Sequence, residues 1–207
     1  MTHEHYFSET SSSADIRRHY DLDGPRGSIR VETSSGVFAS RGLDRGTAVL
    51  LDTEVRHPVT PPPVGSHLCD LGAGAGPIAL WLAAANPSCT VHAIEVNERA
   101  RDLCRSNARR NGLDNVVVSD PESVDPAVRF HLMWSNPPVR IGKPALHALL
   151  EQWLHRLHPQ GHADLVVGKN LGADSLAQWL TDRGLRTERV ASAKGFRVLR
   201  VSPASES

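Results

Sequence analysis

Two stretches of this sequence carry residue types in an order that can do chemistry. The first is Asp70-Leu71-Gly72-Ala73-Gly74-Ala75-Gly76. Alternating glycines let a backbone turn tightly and approach a ligand closely. The second is Ser135-Asn136-Pro137-Pro138. A side-chain amide ahead of two prolines is a polar group on a stiff loop, which suits a site that must fix geometry. Between them lie two more polar positions. Glu95 can accept hydrogen bonds from a ribose diol. Ser119-Asp120 can meet an adenine amino group, although Asp120 also suits a helix cap ahead of Pro121.

The turn reads Gly-x-Gly-x-Gly, not the Gly-x-Gly-x-x-Gly of a dinucleotide site, and it follows an acid, Asp70. A carboxylate there favours an ammonium-bearing cofactor and repels a pyrophosphate. The Asn-Pro-Pro loop points to the other half of a reaction. A ring-conjugated exocyclic amine is a poor nucleophile, because its lone pair is delocalised. The Asn136 amide oxygen and the Pro137 carbonyl can each accept one N–H and turn that lone pair toward a sulfonium methyl group. Alignment and developing charge are then both served without a strong base. Together the two stretches imply S-adenosylmethionine as the methyl donor, with Asn136, Pro137 and Pro138 as the catalytic loop.

The surrounding pattern must position these groups. His67–Leu71, Thr90–Glu95, Val116–Val118, Phe130–Trp134 and Ala163–Val167 read as strands. Helical stripes alternate with them: Ile78, Trp81, Leu82 and Ala85; then Ala100, Leu103, Cys104 and Ala108, capped by Asn97; then Leu146 to Leu157, stopped by His158-Pro159-Gln160-Gly161; then Leu176, Trp179 and Leu180. Trp81, Trp153 and Trp179 fall on these stripes and are expected in the core. Thr187–Ala191 and Phe196–Val201 are two closing strands, joined too tightly for a parallel crossover. The expected fold is α/β: a doubly wound, mostly parallel seven-stranded sheet with an antiparallel last strand. The glycine turn and the Asn-Pro-Pro loop then share the sheet's C-terminal edge.

Residues 1–13 are polar and are expected to be mobile; residues 14–56 read as a small β-rich cap, in which Thr47–Leu51 is a short apolar run. Residues 57–65 form a Pro-rich linker, and residues 66–207 the cofactor-binding core. Net charge is zero, with 40% hydrophobic residues, so no global charge draws the chain to nucleic acid or membrane. No apolar stretch is long enough for a bilayer and no secretory leader is visible, which together suggest a cytoplasmic protein. The three cysteines contain no Cys-x-x-Cys pair and the 11 histidines are scattered, so no metal site is expected.

With these motifs in place, the chain resembles the small-domain class I methyltransferases, Rossmann-like enzymes related to the ribosomal small-subunit guanine-N2 methyltransferases. The resemblance runs from His5-Tyr6-Phe7-Ser8 through Ser35-Gly36-Val37-Phe38-Ala39 and Gly42-Leu43-Asp44 to the glycine turn. It continues in Asn136-Pro137-Pro138-Val139-Arg140-Ile141-Gly142-Lys143 and Lys194-Gly195-Phe196-Arg197-Val198-Leu199, segments that look most like a short, single-domain archaeal branch. It implies that Asp70, Gly72, Ala73, Gly74, Gly76, Glu95, Val96, Ser119, Asp120 and Asn136 line the cofactor pocket. Phe38 would close over it, and Val139, Arg140 and Lys143 would face the substrate.

Two departures bear on the substrate. Many amino-methyltransferases carry an aromatic residue after Asn-Pro-Pro, where this chain has Val139, and the long guanine-N2 enzymes have a duplicated N-terminal half that this chain lacks. The implied acceptor is guanine N2 of ribosomal RNA, free or in the small subunit, with the enzyme a monomer or weak dimer. A small-molecule or protein-amide N-methyltransferase, or a non-catalytic nucleotide-binding module, are the alternatives. The arginines that follow Glu95 (Arg99, Arg101, Arg105, Arg109, Arg110) read as a solvated helix face; Arg140 and Lys143 flank the proposed catalytic loop.

Overall fold

The computed structural model describes residues 16–35, 37, 42–138 and 141–204. Phe38, Val139 and Arg140, and the segment 1–13, lie outside the described residues.

An antiparallel hairpin comes first, β1 (Arg17–Gly24) and β2 (Gly27–Ser34), followed by helix α1 (Arg45–Arg56). The run Thr47–Leu51, which reads in sequence as part of a β-rich cap, is the middle of α1. The Asp44 carboxylate starts that helix by accepting from the backbone N–H groups of Gly46 and Thr47. Residues 57–65 contain neither helix nor strand.

The alternating region follows as expected: β3 (His67–Leu71), α2 (Pro77–Ala85), β4 (Thr90–Ile94), α3 (Glu98–Arg110), β5 (Val116–Ser119) and β6 (Phe130–Ser135). Then come α4 (Lys143–Leu154), β7 (Leu157–Gly168), α5 (Ala173–Thr181), β8 (Arg186–Ala193) and β9 (Phe196–Ser202). These seven strands form one sheet in the order β5-β4-β3-β6-β7-β9-β8. The pairs among β3 to β7 are parallel, and β9 runs antiparallel to both β7 and β8.

The period of two along the strands splits the core into two layers. Leu68, Leu132, Trp134, Val166 and Val198 face α1, α2 and α3; Leu71, Met133, Leu165, Val167 and Leu199 face α4 and α5. Two expectations shift. Leu157 leaves the α4 stripe and opens β7, because the Phe130 N–H pairs with the Arg156 carbonyl at 2.9 Å. Pro159 and Gly161 thus lie inside a strand, at an irregular register between Phe130 and Leu132. There a Cβ at 161 would come within 2.5 Å of the Phe130 carbonyl oxygen, so only glycine fits. Trp81 and Trp153 are buried, but Trp179 is half-exposed, sandwiched between the His147 ring (centroids 3.9 Å apart) and the Arg183 guanidinium (4.0 Å).

The hairpin is held on the sheet by two asparagines one turn apart, Asn107 on α3 and Asn111 at its C-cap. Asn107 accepts from Glu32 N–H and donates to the Glu32 and Ala75 carbonyls; Asn111 accepts from Arg30 N–H and donates to the Arg30 carbonyl. Together they act as a substitute strand edge for β2. Among the described residues no helix is long and apolar enough to cross a membrane.

Candidate active site

The glycine turn leaves β3 at the C-terminal edge of the sheet. Gly72 (φ 79°), Gly74 (φ 56°) and Gly76 (φ 92°) all occupy the left-handed region, and the Gly72 and Ala73 N–H groups are pinned to the Ile94 carbonyl at the end of β4. The first and last of the three glycines differ in their surroundings. A Cβ at Gly72 would meet open space, whereas one at Gly76 would lie 2.5 Å from Cys104 Sγ. The first exposes backbone toward the pocket; the last allows close packing of α3.

Asp70 lies fully buried beneath this turn. One carboxylate oxygen accepts from Ala79 N–H at 2.8 Å, supplying the cap that glycine at the start of α2 lacks. The other is buried without a partner. Burial pushes this carboxyl up to about 8, with the Glu95 charge adding to the rise and the Ala79 bond opposing it. Glu95 accepts from Gly74 N–H with one oxygen and from Asn97 N–H with the other, both at 2.8 Å. Each oxygen keeps a further acceptor site. Val96 beside it is exposed. Ser119 pairs with Ile94 at the end of β5. Asp120 serves as the cap, accepting from Glu122 and Ser123 N–H and from the Ser123 hydroxyl, which holds its carboxyl below the ordinary value.

The Asn-Pro-Pro loop follows β6, and the Ser135 hydroxyl ties it to β3 by donating to the Leu71 carbonyl at 2.7 Å. Pro137 is buried and Pro138 exposed. The Asn136 amide nitrogen donates to the Asp44 carboxylate at 2.6 Å and to the Thr47 hydroxyl at 3.2 Å. A carboxylate can only accept, so the amide orientation is settled by chemistry: NH2 toward Asp44, oxygen away from it. Lys143, exposed, begins α4.

A pocket joins the glycine turn to Asn136, while Asp70, Glu95, Ser119 and Asp120 lie outside its lining. Tyr20, Thr33, Asp44 and Thr47 line one side; Gly72 to Ala75, Pro77 and Ile78 line another, with Asn136 between. Sequence reading overlooked Tyr20, Thr33 and Thr47, and gave Asp44 no role. The available signal was Asp44 three residues ahead of Thr47, the spacing of a helix cap. Burial and the Asp44 charge push the Tyr20 hydroxyl up to about 12, and the buried Thr33 hydroxyl has no partner.

This strand order, with a glycine turn after its central strand and a polar loop after the neighbouring one, defines a class I methyltransferase fold. A family model for the methyltransferase small domain matches residues 28–200. The uncharacterized protein YbxB of Bacillus subtilis is 32% identical over 200 residues, covering 95% of this chain and 97% of that one. Ribosomal RNA small subunit methyltransferase C of Shewanella amazonensis is 28% identical over 77% of this chain and 46% of its own length. Among solved structures, the Thermus (T. Thermophilus) 16S rRNA N2 G1207 methyltransferase RsmC, in complex with AdoMet and guanosine, superposes with a TM-score of 0.71 at 20% identity, over 91% of this chain and 51% of that one. The chain thus spans about half the length of the small-subunit methyltransferases it matches.

The chain belongs to the methyltransferase small domain family and is an S-adenosylmethionine-dependent methyltransferase. The residues present fit that cofactor: open space beside Gly72 and Gly74, spare acceptor sites on Glu95, and buried unpaired oxygens on Asp70 and Thr33.

Proposed function

We propose that the chain methylates an exocyclic ring amine, with guanine N2 of ribosomal RNA as the substrate. The observation that carries this reading is the anchored Asn136 amide, held by Asp44 and Thr47. S-adenosylmethionine, when bound, supplies an electrophilic methyl group on a sulfonium. The glycine turn, Glu95 and Asp70 would hold that cofactor, and Ser119, Asp120 and Val96 would meet its adenosine. Asn136 Oδ1 and the Pro137 carbonyl accept the two amine N–H groups, which leaves the nitrogen lone pair aimed out of the ring plane. As the N–CH3 bond would form and the S–CH3 bond break, with S-adenosylhomocysteine as the leaving group, positive charge would grow on the nitrogen and both hydrogen bonds would strengthen. The surplus N–H proton would pass to solvent water. The Asp44 carboxylate reinforces one of them: by accepting from Asn136 Nδ2 it polarises the amide and makes Oδ1 a better acceptor.

The named substrates of the Shewanella and Thermus relatives support RNA as the acceptor class. The test is transfer of tritiated methyl from labelled cofactor to ribosomal RNA or small subunits. Asn136→Ala should abolish transfer while S-adenosylhomocysteine still binds. Labelling of neither RNA nor subunits by the wild-type enzyme overturns the reading.

A further inference from the structure

Lysine is scarce in this chain and gathered at one edge. The 23 Lys and Arg residues include only three lysines: Lys143, Lys169 and Lys194. Lys143 opens α4 after the Asn-Pro-Pro loop, Lys169 follows the last residue of β7, and Lys194 sits in the β8–β9 turn. Since β9 runs antiparallel to β7 and pairs Phe196 with Gly168, all three fall at the edge that carries Asn136. They are also connected. The Lys169 N–H donates to the Gly195 carbonyl at 2.8 Å, and a Cβ at Gly172 would lie 3.8 Å from Lys143 Cε.

All three are exposed, and among the described residues none has a side-chain hydrogen bond or ion pair. Many arginines are instead spent within the fold: Arg30 on Asp21, Arg105 on Asp102, Arg110 on Glu32, Arg200 on Asp164. Asp174, an acid on the same side, is already held by Arg197. The lysine rim therefore presents unneutralised charge, in the form of flexible point cations suited to phosphate oxygens.

One aromatic residue accompanies them. Phe196 is half-buried at the start of β9. A Cβ at Gly46 would lie 3.1 Å from Phe196 Cε1 and 3.3 Å from Asn136 Nδ2, so ring and amide flank the same point. This is an aromatic ring beside Asn136, on the amide-nitrogen side, in a chain that has Val139 where many amino-methyltransferases carry an aromatic residue.

We infer that this edge is a docking surface for an unpaired RNA segment: Lys143, Lys169 and Lys194 grip its phosphates, and Phe196 stacks the target base beside Asn136. The inference rests on the RNA reading above. An extruded base needs a stacking partner in place of its lost neighbours, and aromatic side chains serve that role for single strands.

The test uses the full chain and a fluorescent single-stranded oligoribonucleotide, with binding measured against salt concentration, alongside methyl transfer to ribosomal RNA. Replacing all three lysines by glutamine should weaken binding and reduce the slope of log K against log salt by about 2, at roughly 0.7 per phosphate contact. Replacing them by arginine should restore both, and Arg26→Gln with Arg109→Gln, at the opposite end, should change neither. Phe196→Leu keeps apolar packing but loses the aromatic face; it should raise KM for RNA roughly tenfold with kcat and S-adenosylhomocysteine affinity retained, and Phe196→Trp should reverse this. If the wild type methylates RNA but the glutamine variant keeps its affinity and salt slope, the docking surface is overturned alone. If the wild type methylates no RNA, the RNA reading falls first.

Discussion

Asn136 and Asp44 are 92 residues apart in sequence and 2.6 Å apart in space. The same Asp44 oxygen accepts from Gly46 and Thr47 N–H at the start of α1. One carboxylate therefore both starts a helix and fixes the amide of the Asn-Pro-Pro loop.

Substitution at Asp44 tests both roles. Asp44→Ala should lower stability by about 1 kcal/mol through loss of the cap. It should also lower kcat by about 100-fold through a misplaced Asn136. Asp44→Asn keeps an oxygen that can both cap and anchor, so thermal unfolding should stay near wild type and kcat should fall less than in Asp44→Ala, through lost charge alone. Single-turnover methyl transfer measured beside thermal denaturation distinguishes the two. A fully active Asp44→Ala enzyme would show that Asn136 needs no anchor.

The glycines of the turn should fail in different ways. Gly76→Ala places a Cβ against Cys104 Sγ in left-handed backbone, and should destabilise the fold by about 1–3 kcal/mol. Gly72→Ala has open space around it, so the unliganded protein should unfold nearly as the wild type does, apart from its backbone strain. Its loss should appear instead in calorimetric titration with S-adenosylhomocysteine. Equal binding by Gly72→Ala and wild type would remove that glycine from the pocket.

Asp70 makes stability depend on pH in an unusual direction. Its carboxyl, at about 8 when folded against an ordinary 3.8, favours the protonated form in the native state. Its contribution is therefore complete below pH 3.8 and is lost as pH rises toward about 8. Asp70→Asn stays neutral throughout, so urea unfolding between pH 4 and 8 should be flatter than for the wild type. An unchanged pH profile would show that Asp70 does not titrate in this range.

His92 acts with the opposite sign. Burial, with help from nearby His67 and Arg156, lowers its imidazole to about 4 from 6.5. Its Nε2 lies 3.0 Å from His67 Nδ1, and its ring meets the edge of Phe130. A lowered histidine contributes fully above 6.5 and loses that contribution as pH falls toward 4. His92→Gln should therefore reduce acid lability between pH 6.5 and 4, measured by the same urea series. If the variant loses stability as steeply as the wild type, another group drives the acid transition.

The sheet was legible because each strand–helix unit carries its own local signals. The α3 stripe with its Asn97 cap is one such unit, and the Asn97 side chain does accept from Ala100 N–H at 3.0 Å. What escaped depends on distant partners. Thr47–Leu51 is short and rich in β-branched residues, a weak helix signal until Asp44 caps it and β7 and β9 pack against it. Leu157 keeps the helical stripe's spacing, yet strand pairing with Phe130 claims it. Of the two motifs, Gly72, Ala73, Gly74 and Asn136 line the pocket, and their spacing is a signal the sequence carries by itself. Tyr20, Thr33 and Asp44 were not legible as pocket residues, because only folding brings the hairpin and α1 to the pocket.

That long-range closure has a consequence for the protein during its own synthesis. Chains emerge from the ribosome at roughly 5–20 residues per second, N-terminal segments first. Residues 45–56 appear early, but the strands on which that helix packs, ending at Gly168 and Ser202, are made far later. Gly46 meets Phe196 only when the closing hairpin has been translated. A growing chain can thus form its glycine turn well before the closing hairpin reaches the first turn of that helix, beside Asn136.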